Sequence, residues 1–425
     1  MKFKDCITLI QNDGLKDKLI ELYGEEKEDM SKARYLAMLD HAKSYFNEDD
    51  EVGIFSAPGR SEIGGNHTDH QLGRVLAAAI DLDVIGVAKK SEDMLVHYYS
   101  NSFSSKEIDL NELNILPEEK NSTEALIRGI AAGLKEKNYQ IGGFIAYAES
   151  DVLSGSGMSS SASFEVFIGT IFNHFYNNHS VTPLDIAKIG QYAENVYFMK
   201  ACGLMDQLAC AYGKVISIDF SNKDEPAIEE IPFNLLEHQY ALILTDPKSA
   251  HDDLSDEYSA IPTEMKGVAM QLGQSVLSTT NIDELIDHVS IIREKCGDRA
   301  FLRAYHFVNE TERAFDEAEA LKANDIDMFL ELICESGRSS WMYLQNVIAN
   351  NTSIHQELAI GLALSEAMLG VNGAFRVHGG GFAGTIQAFV PLELKDSYIE
   401  MMEMAFGKDC CHTLNIRNCG GIQVC

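Results

Sequence analysis

The stretch Leu153-Ser154-Gly155-Ser156-Gly157-Met158-Ser159-Ser160-Ser161-Ala162-Ser163 gathers small side chains and hydroxyls in one place. Glycines let a backbone approach a ligand closely, and the helical pattern that follows begins on serines, which cap helix N-termini well. A helix start aims unpaired N–H groups at an anion, so the chemistry these residues suit is the cradling of phosphate. The loop is not a Walker A motif, because GxxxxGK[ST] occurs nowhere in the chain, and it lacks the GxGxxG pattern of a dinucleotide fold. Taken alone it also reads as a Gly/Ser turn before a serine-capped helix. Three further stretches carry reactive residue types: GRSEIGGNHTDHQ at 59–71, Ala193-Glu194 with Cys202-Gly203-Leu204-Met205-Asp206-Gln207, and HGGGFAG at 378–384.

Several elements must hold these residues. Apolar residues at i, i+3, i+4 spacing predict helices over Leu15–Leu22, Lys32–Phe46, Thr123–Lys137, Ser159–Tyr176 and Pro183–Phe198. Short apolar or β-branched runs predict strands over Val52–Ser56, ending at Pro58-Gly59, and over Val75–Ala88, Gly143–Ala148 and Val215–Phe220. The Ser/Gly loop thus lies between a strand and a helix. From Asn222 to Asn234 the chain is polar and irregular, which places a domain boundary there, with domains at 1–225 and 226–425. The second half predicts a strand at Tyr240–Leu244, helices over Glu264–Leu272, Ile282–Lys295, Leu302–Lys322 and Asp325–Asn346, and a turn at Gly379–Gly384 between strands Ala374–Val377 and Thr385–Val390. Strands mixed with helices in both halves indicate two α+β domains with a cleft between them.

Composition narrows the partners. The 425 residues exceed the roughly 150 of one typical domain. Their 45% hydrophobic and 23% charged content is that of a folded globular protein. A net charge of −31 repels phosphate backbones and anionic bilayers, so neither nucleic acid nor membrane is an expected partner. The amino-terminal residues MKFKDCITLIQNDG lack the apolar run of a signal peptide, and a cytosolic location is expected. Nine scattered cysteines without a CxxC spacing read as reduced thiols; Cys410, Cys411 and His412 are a poor ligand set, since vicinal cysteines suit one tetrahedral metal badly.

In order and spacing the four stretches resemble the motifs of the GHMP small-molecule kinase superfamily and, within it, the galactokinase family, whose signature reads approximately GRVNLIGEHTDYNGG, then GGGLSSSASLE, an AE…CGIMDQ segment and a TGGGFGG turn. The matches run from about residue 51 to 390. The resemblance implies an N-terminal ribosomal-protein-S5-like mixed α/β domain, a C-terminal ferredoxin-like α+β domain, and an active site in the cleft between them. It implies a cytosolic sugar kinase, monomeric or homodimeric, that uses ATP and Mg²⁺ to make an α-hexose 1-phosphate.

By that resemblance Asp206 is the carboxylate that activates the sugar C1 hydroxyl, and Arg60 keeps it ionised and neutralises charge on the γ-phosphoryl group. An ordinary aspartate, with a pKa of ~3.9, is a feeble base for such a hydroxyl, so proton transfer is expected late. Gly155, Ser156, Gly157, Met158, Ser159, Ser160, Ser161, Ala162 and Ser163 match the ATP-binding loop. Ser161 and Glu194 match the magnesium ligands, oxygen donors suited to a hard cation. Asn66, His67, Asp69, Gly203 and Tyr258 match the sugar-binding residues. Outside the motif context, Asp206 would read as a helix-capping acid, Arg60 as half of a surface ion pair, and Glu194 as a solvated acid.

The chain departs from the family in places. Asn66 stands where the family has Glu before His-Thr-Asp, replacing an acceptor-only carboxylate by an amide that also donates. His70-Gln71 replaces Tyr-Asn, Thr123 stands at the adenine-side tryptophan, Ile261 and Pro262 replace paired arginines, and His378 replaces Thr. Galactose is the expected sugar. Asn66 leaves room for a C1 kinase of N-acetylgalactosamine, arabinose or another hexose, and a catalytically silent sugar-binding regulator is the reading from another class. From Asn138 to Ala187 there is no lysine or arginine, so phosphate binding must rest on backbone N–H groups, a helix N-terminus and Mg²⁺, with Arg60 brought from elsewhere.

Overall fold

The computed structural model describes residues 1–425 except 102, 105–106, 153–157, 201, 250–253 and 350–352. Three helices, Phe3–Gln11, Lys16–Tyr23 and Glu28–Ala42, open the chain and pack apolar faces onto Ile54, Ile85 and Val87 of the first large sheet. That sheet has nine strands among the described residues. Its centre is the long antiparallel pair Gly53–Gly64 and Arg74–Lys90, flanked by Phe144–Ser150 on one side and Ile422–Gln423 on the other. Helices Thr123–Glu136, Ser160–Asn177, Pro183–Tyr192 and Met205–Tyr212 cover its other face around Phe144, Val166, Phe167, Phe172 and Leu208.

The second sheet is fully antiparallel, with spatial order Ala374–His378, Thr385–Pro391, Tyr240–Thr245, Cys411–Leu414. Leu242, Leu244 and Phe389 from it meet Ile63, Leu76 and Ile80 from the large sheet in one apolar cluster, closed by Ala318, Leu321, Phe329 and Ile333 of two helices. The two halves therefore share a core rather than touching only at their rims.

Three differences from the sequence reading bear on the site. The first strand does not end at Pro58-Gly59. It runs from Gly53 to Gly64 with every residue buried, and its register shifts between Pro58 and Arg60. A bulge is where a strand tolerates proline, which has no ladder N–H to give, and it re-aims the next side chain. Arg60 is that side chain. The divide expected after residue 225 falls on the connection between two paired strands, because Ala227–Ile231 lies antiparallel to Val215–Asp219 in the large sheet. Ala227, Glu229 and Glu230 are exposed while Ile231 is buried, so an edge strand with one wet face reads as irregular. Ile422–Gln423 also returns to the large sheet, pairing with Phe55 and Ser56.

The third difference is in the helices. Ile282–Lys295 is two helices, Ile282–Asp287 and Val289–Cys296, broken at His288. Pro183–Phe198 and Asp325–Asn346 each end in a π-turn, Ala193–Phe198 and Ser340–Leu344. Such wide turns are frequent at functional sites; the first places Asn195 in the lining of the cleft, and the second brings the Ser340 hydroxyl to the buried Asn66 amide oxygen.

Behind the cleft lies a buried charge cluster. Glu317 is fully buried and both of its carboxylate oxygens lack a hydrogen-bond partner among the described residues. Burial, with Glu310 and Glu62 nearby, pushes its carboxyl well above the ordinary range despite Arg376 and Arg313. A carboxyl whose folded pKa is raised contributes stability below its unfolded value, and that contribution is lost as pH rises. Glu317→Gln is therefore expected to raise the thermal unfolding midpoint relative to wild type at pH 8, with the difference gone by about pH 4, as calorimetry at several pH values would read. Equal midpoints at pH 8 would mean that the carboxyl is charged and paired.

Candidate active site

The Ser/Gly loop reaches the site beside the bulge. Arg60 N–H donates to the Met158 carbonyl at 3.2 Å, and a Cβ on Gly59 would sit 3.0 Å from that same oxygen, so glycine permits the approach. Ser159 takes a left-handed conformation, φ 59°, and leads into the Ser160–Asn177 helix. Its hydroxyl does not cap that helix but donates to Asp206 Oδ2. Gly155, Ser156 and Gly157 lie outside the described residues. Met158 and Ala162 are buried in apolar packing, and Ser163 spends its hydroxyl on the Ala57 carbonyl at 2.8 Å and its N–H on Ser159. Their side chains are turned to the protein. They anchor the loop and leave Ser159, Ser160 and Ser161 half-buried at the helix start.

Asp206 stands in the first turn of the Met205–Tyr212 helix. Arg60 grips it with both edges of its fork, Nε to Oδ1 at 2.8 Å and Nη2 to Oδ2 at 2.7 Å. The arginine is 7% exposed, which removes the surface-ion-pair reading. Burial by itself would raise the Asp206 carboxyl. The Arg60 charge and the hydrogen bonds from Arg60 and Ser159 outweigh it and hold the group below the usual carboxylate range. An ionised, weakly basic carboxylate with a bound guanidinium is the result.

The π-turn after Tyr192 rotates Glu194 inward. Ser161 Oγ donates to Glu194 Oε1 at 2.9 Å, Lys200 Nζ donates to the same oxygen at 3.1 Å, and Gln207 Nε2 donates to Oε2 at 3.0 Å. Glu194 is buried, so the solvated-acid reading falls too. Gln207 also donates to Glu165 Oε2 at 3.0 Å, forming an amide bridge between two carboxylates. Burial, then the Glu194 charge, pushes Glu165 well above the ordinary range. Sequence reasoning passed over Glu165 and Lys200. A buried-looking helix position gave no signal for the first, and the second becomes a site residue only through the π-turn. Ser161 and Glu194 offer adjacent hard oxygen donors, a fit for magnesium. Among the described residues no group of three or more acidic, histidine or cysteine side chains could hold a metal ion.

Next to this pair opens a cleft of roughly 820 Å³, whose lining includes His67, Asp69, Gly203 and Tyr258. The turn that carries His67 and Asp69 is tight: Thr68 Oγ1 donates to Gly65 O at 2.9 Å, and a Cβ on Gly65 (φ 82°) would meet the Arg74 carbonyl at 2.5 Å. Gly203 faces Asp69 so closely that a Cβ there would lie 2.4 Å from Asp69 Oδ2. Tyr258 OH donates to Gly381 O at 3.0 Å, and His67 Nε2–H donates to Gly380 O at 3.2 Å, so the Gly379–Gly384 turn closes over both. Burial, with His70 beside it, depresses the His67 imidazole to about 3, which keeps the ring neutral with one donor and one acceptor nitrogen.

Asn66 does not join them. It is fully buried, with Nδ2 donating to Glu62 Oε1 at 2.9 Å and to Gly379 O at 2.8 Å while Oδ1 accepts from Asn346 Nδ2 at 2.9 Å. With its amide saturated by protein, it fastens the His67–Asp69 turn to the glycine turn and has no capacity left for a sugar. His378 is likewise internal, bonded to Thr385 Oγ1 at 2.8 Å and Ser61 Oγ at 3.1 Å.

The Arg60–Asp206 pair beside a serine-started helix, with a cleft opening next to it, is the arrangement expected of a GHMP small-molecule kinase. The chain matches the galactokinase galactose-binding signature over residues 40–90 and the GHMP kinases N-terminal domain over 125–214. It is 30% identical to the galactokinase of Glaesserella parasuis, over 83% of this chain and 88% of that one. It is also 30% identical to the galactokinase of Lactobacillus helveticus, over 84% and 89%. The fold superposes on a Lactococcus lactis galactokinase complexed with galactose with a TM-score of 0.78 at 23% identity, covering 92% of this chain and all of that one, and on a mevalonate kinase with 0.58 at 17% identity, covering 85% of this chain and 99% of that one. The chain belongs to the galactokinase family.

Proposed function

We propose that the protein transfers the γ-phosphoryl group of ATP to the C1 hydroxyl of galactose, giving α-galactose 1-phosphate. The observation that carries this reading is the Arg60–Asp206 pair, set between the Ser159–Ser161 helix start and Gly203 of the cleft. His67, Asp69, Gly203 and Tyr258 bind the sugar; with His67 Nε2–H given to the Gly380 carbonyl, its other ring nitrogen and the Asp69 carboxylate offer acceptors to the sugar hydroxyls. Ser160, Ser161 and the helix N-terminus receive phosphate oxygens through N–H and hydroxyl donors. Ser161 and Glu194 would hold a magnesium ion, which would supply charge neutralisation for the phosphates.

Asp206 then accepts the C1 hydroxyl proton. Because Arg60 holds its carboxyl low, it takes that proton late, once the oxygen has begun to bond to phosphorus and has become acidic. Arg60 stabilises the charge that develops on the transferring group. Asn66, the residue that had left room for another sugar, faces the protein interior, so it supplies no reason to prefer one. The reading is tested by measuring sugar-dependent ADP release from Mg-ATP over a panel of aldoses. Galactose is expected to give the highest kcat/KM, and absence of ADP release with every sugar would leave only the silent regulator.

A further inference from the structure

The sequence around the Ser160–Asn177 helix start supplies no cation of its own. Arg60 spends both edges of its guanidinium on Asp206, and no lysine or arginine occurs from Asn138 to Ala187. The π-turn adds Lys200, which follows Met199 in its left-handed conformation (φ 63°) and places Nζ 3.1 Å from Glu194 Oε1. That oxygen also receives the Ser161 hydroxyl, so the ammonium lies on the donor set a divalent cation would use. The two partners differ in freedom: the Glu194 side chain is 3% exposed and held by Gln207, whereas the Lys200 side chain is 60% exposed on a flexible stem. When a cation takes Glu194, the lysine is the partner free to move, and a nucleotide phosphate seated at the Ser159–Ser161 helix start would offer it a new counter-charge.

We propose that Lys200 is a phosphate ligand of the nucleotide which, in the metal-free protein, neutralises Glu194, so that ammonium and divalent cation exchange places on that carboxylate. The proposal rests on the Ser159–Ser161 helix start being the nucleotide site. It gives the buried Glu194 carboxylate, which shares the Gln207 amide with Glu165, a counter-charge before any cation arrives. It also supplies a mobile positive charge where the sequence between residues 138 and 187 has none.

A structural ion pair and an exchanging one respond differently to Lys200→Gln. The nucleotide-free protein is titrated calorimetrically with Mn²⁺ as the probe, and separately with ADP in saturating Mg²⁺; Lys135→Gln, an exposed change of equal charge elsewhere, is the control. Removing the competing ammonium is expected to tighten Mn²⁺ binding, while losing a charge-assisted phosphate contact weakens Mg-ADP binding about tenfold. Lys200→Arg is expected to restore nucleotide affinity. Two shifts of opposite sign support the exchange, because a merely structural lysine would move both the same way or neither. Mn²⁺ affinity equal to or below that of the control, or unchanged Mg-ADP affinity, overturns it. If wild-type protein binds no Mg-ADP, the nucleotide reading itself is overturned, an outcome distinct from wild-type binding that Lys200→Gln leaves unaltered.

Discussion

Asp206→Asn is expected to lower kcat by roughly 10²–10⁴-fold while leaving galactose affinity within a few-fold of wild type. The amide keeps the volume and one acceptor for Arg60, but it has no lone pair basic enough to take the C1 proton. Two side effects separate this from simple damage. Arg60 is 7% exposed and loses its counter-charge, so the variant's unfolding midpoint falls and the assay must be run well below it. The Ser159 hydroxyl, which donates to Oδ2, meets either an oxygen or an NH₂ there, so one amide orientation disturbs the loop and raises KM for ATP. The loss in kcat is the diagnostic term, read by steady-state kinetics with both substrates varied. A variant that keeps kcat within about tenfold would mean the proton leaves by another route.

The second large effect is expected away from the chemistry. Arg376 is fully buried; its Nη1 donates to the Ile63 carbonyl at 2.6 Å, Nη2 to Glu62, and Nε to the Val377 carbonyl at 3.0 Å. It joins the strand Ala374–His378 to the first strand, and Glu62 in turn receives the Asn66 amide at 2.9 Å. Burial already pushes the Glu62 carboxyl upward against the pull of Arg376 and Asn66. Arg376→Met would leave that carboxylate buried with the Asn66 amide as its remaining hydrogen-bond donor, at a cost of about 3–5 kcal/mol in urea unfolding. Because the same cluster holds the His67–Asp69 turn, KM for galactose is expected to rise more than KM for ATP. A stability loss under about 1 kcal/mol would show that Glu62 sheds its charge at no cost and that the cluster is not what fixes the turn.

These outcomes also show which parts of the molecule the sequence exposes. The strand Tyr240–Thr245, the glycine turn with its flanking strands, and the helix after the Ser/Gly loop follow from local periodicity, because each buries a continuous apolar face. Asp206, Glu194 and Arg60 were legible through motif order, and the structure pairs Asp206 with Arg60 and Ser159, and Glu194 with Ser161.

What stayed hidden depends on tertiary partners. The first strand continues past Pro58 because its bulge is stabilised by the Arg74–Lys90 strand beside it, which no local signal reports. Asn66 turns inward because Glu62, Gly379 and Asn346 saturate its amide, and two of those partners lie some three hundred positions away in the chain. Glu165 and Lys200 become site residues only when Gln207 and the π-turn bring them to Glu194. Ala227–Ile231 reads as a linker because an edge strand exposes the face that a central strand would bury.

The central claim is that Asp206 and Arg60 direct phosphoryl transfer to the anomeric oxygen of galactose. Phosphorus NMR of the products from galactose and Mg-ATP tests it most directly, since coupling to the anomeric proton identifies a C1 phosphate and its configuration. The expected spectrum shows α-galactose 1-phosphate growing in step with ADP; ADP without a sugar phosphate, or a phosphate on any other hydroxyl, would contradict the account.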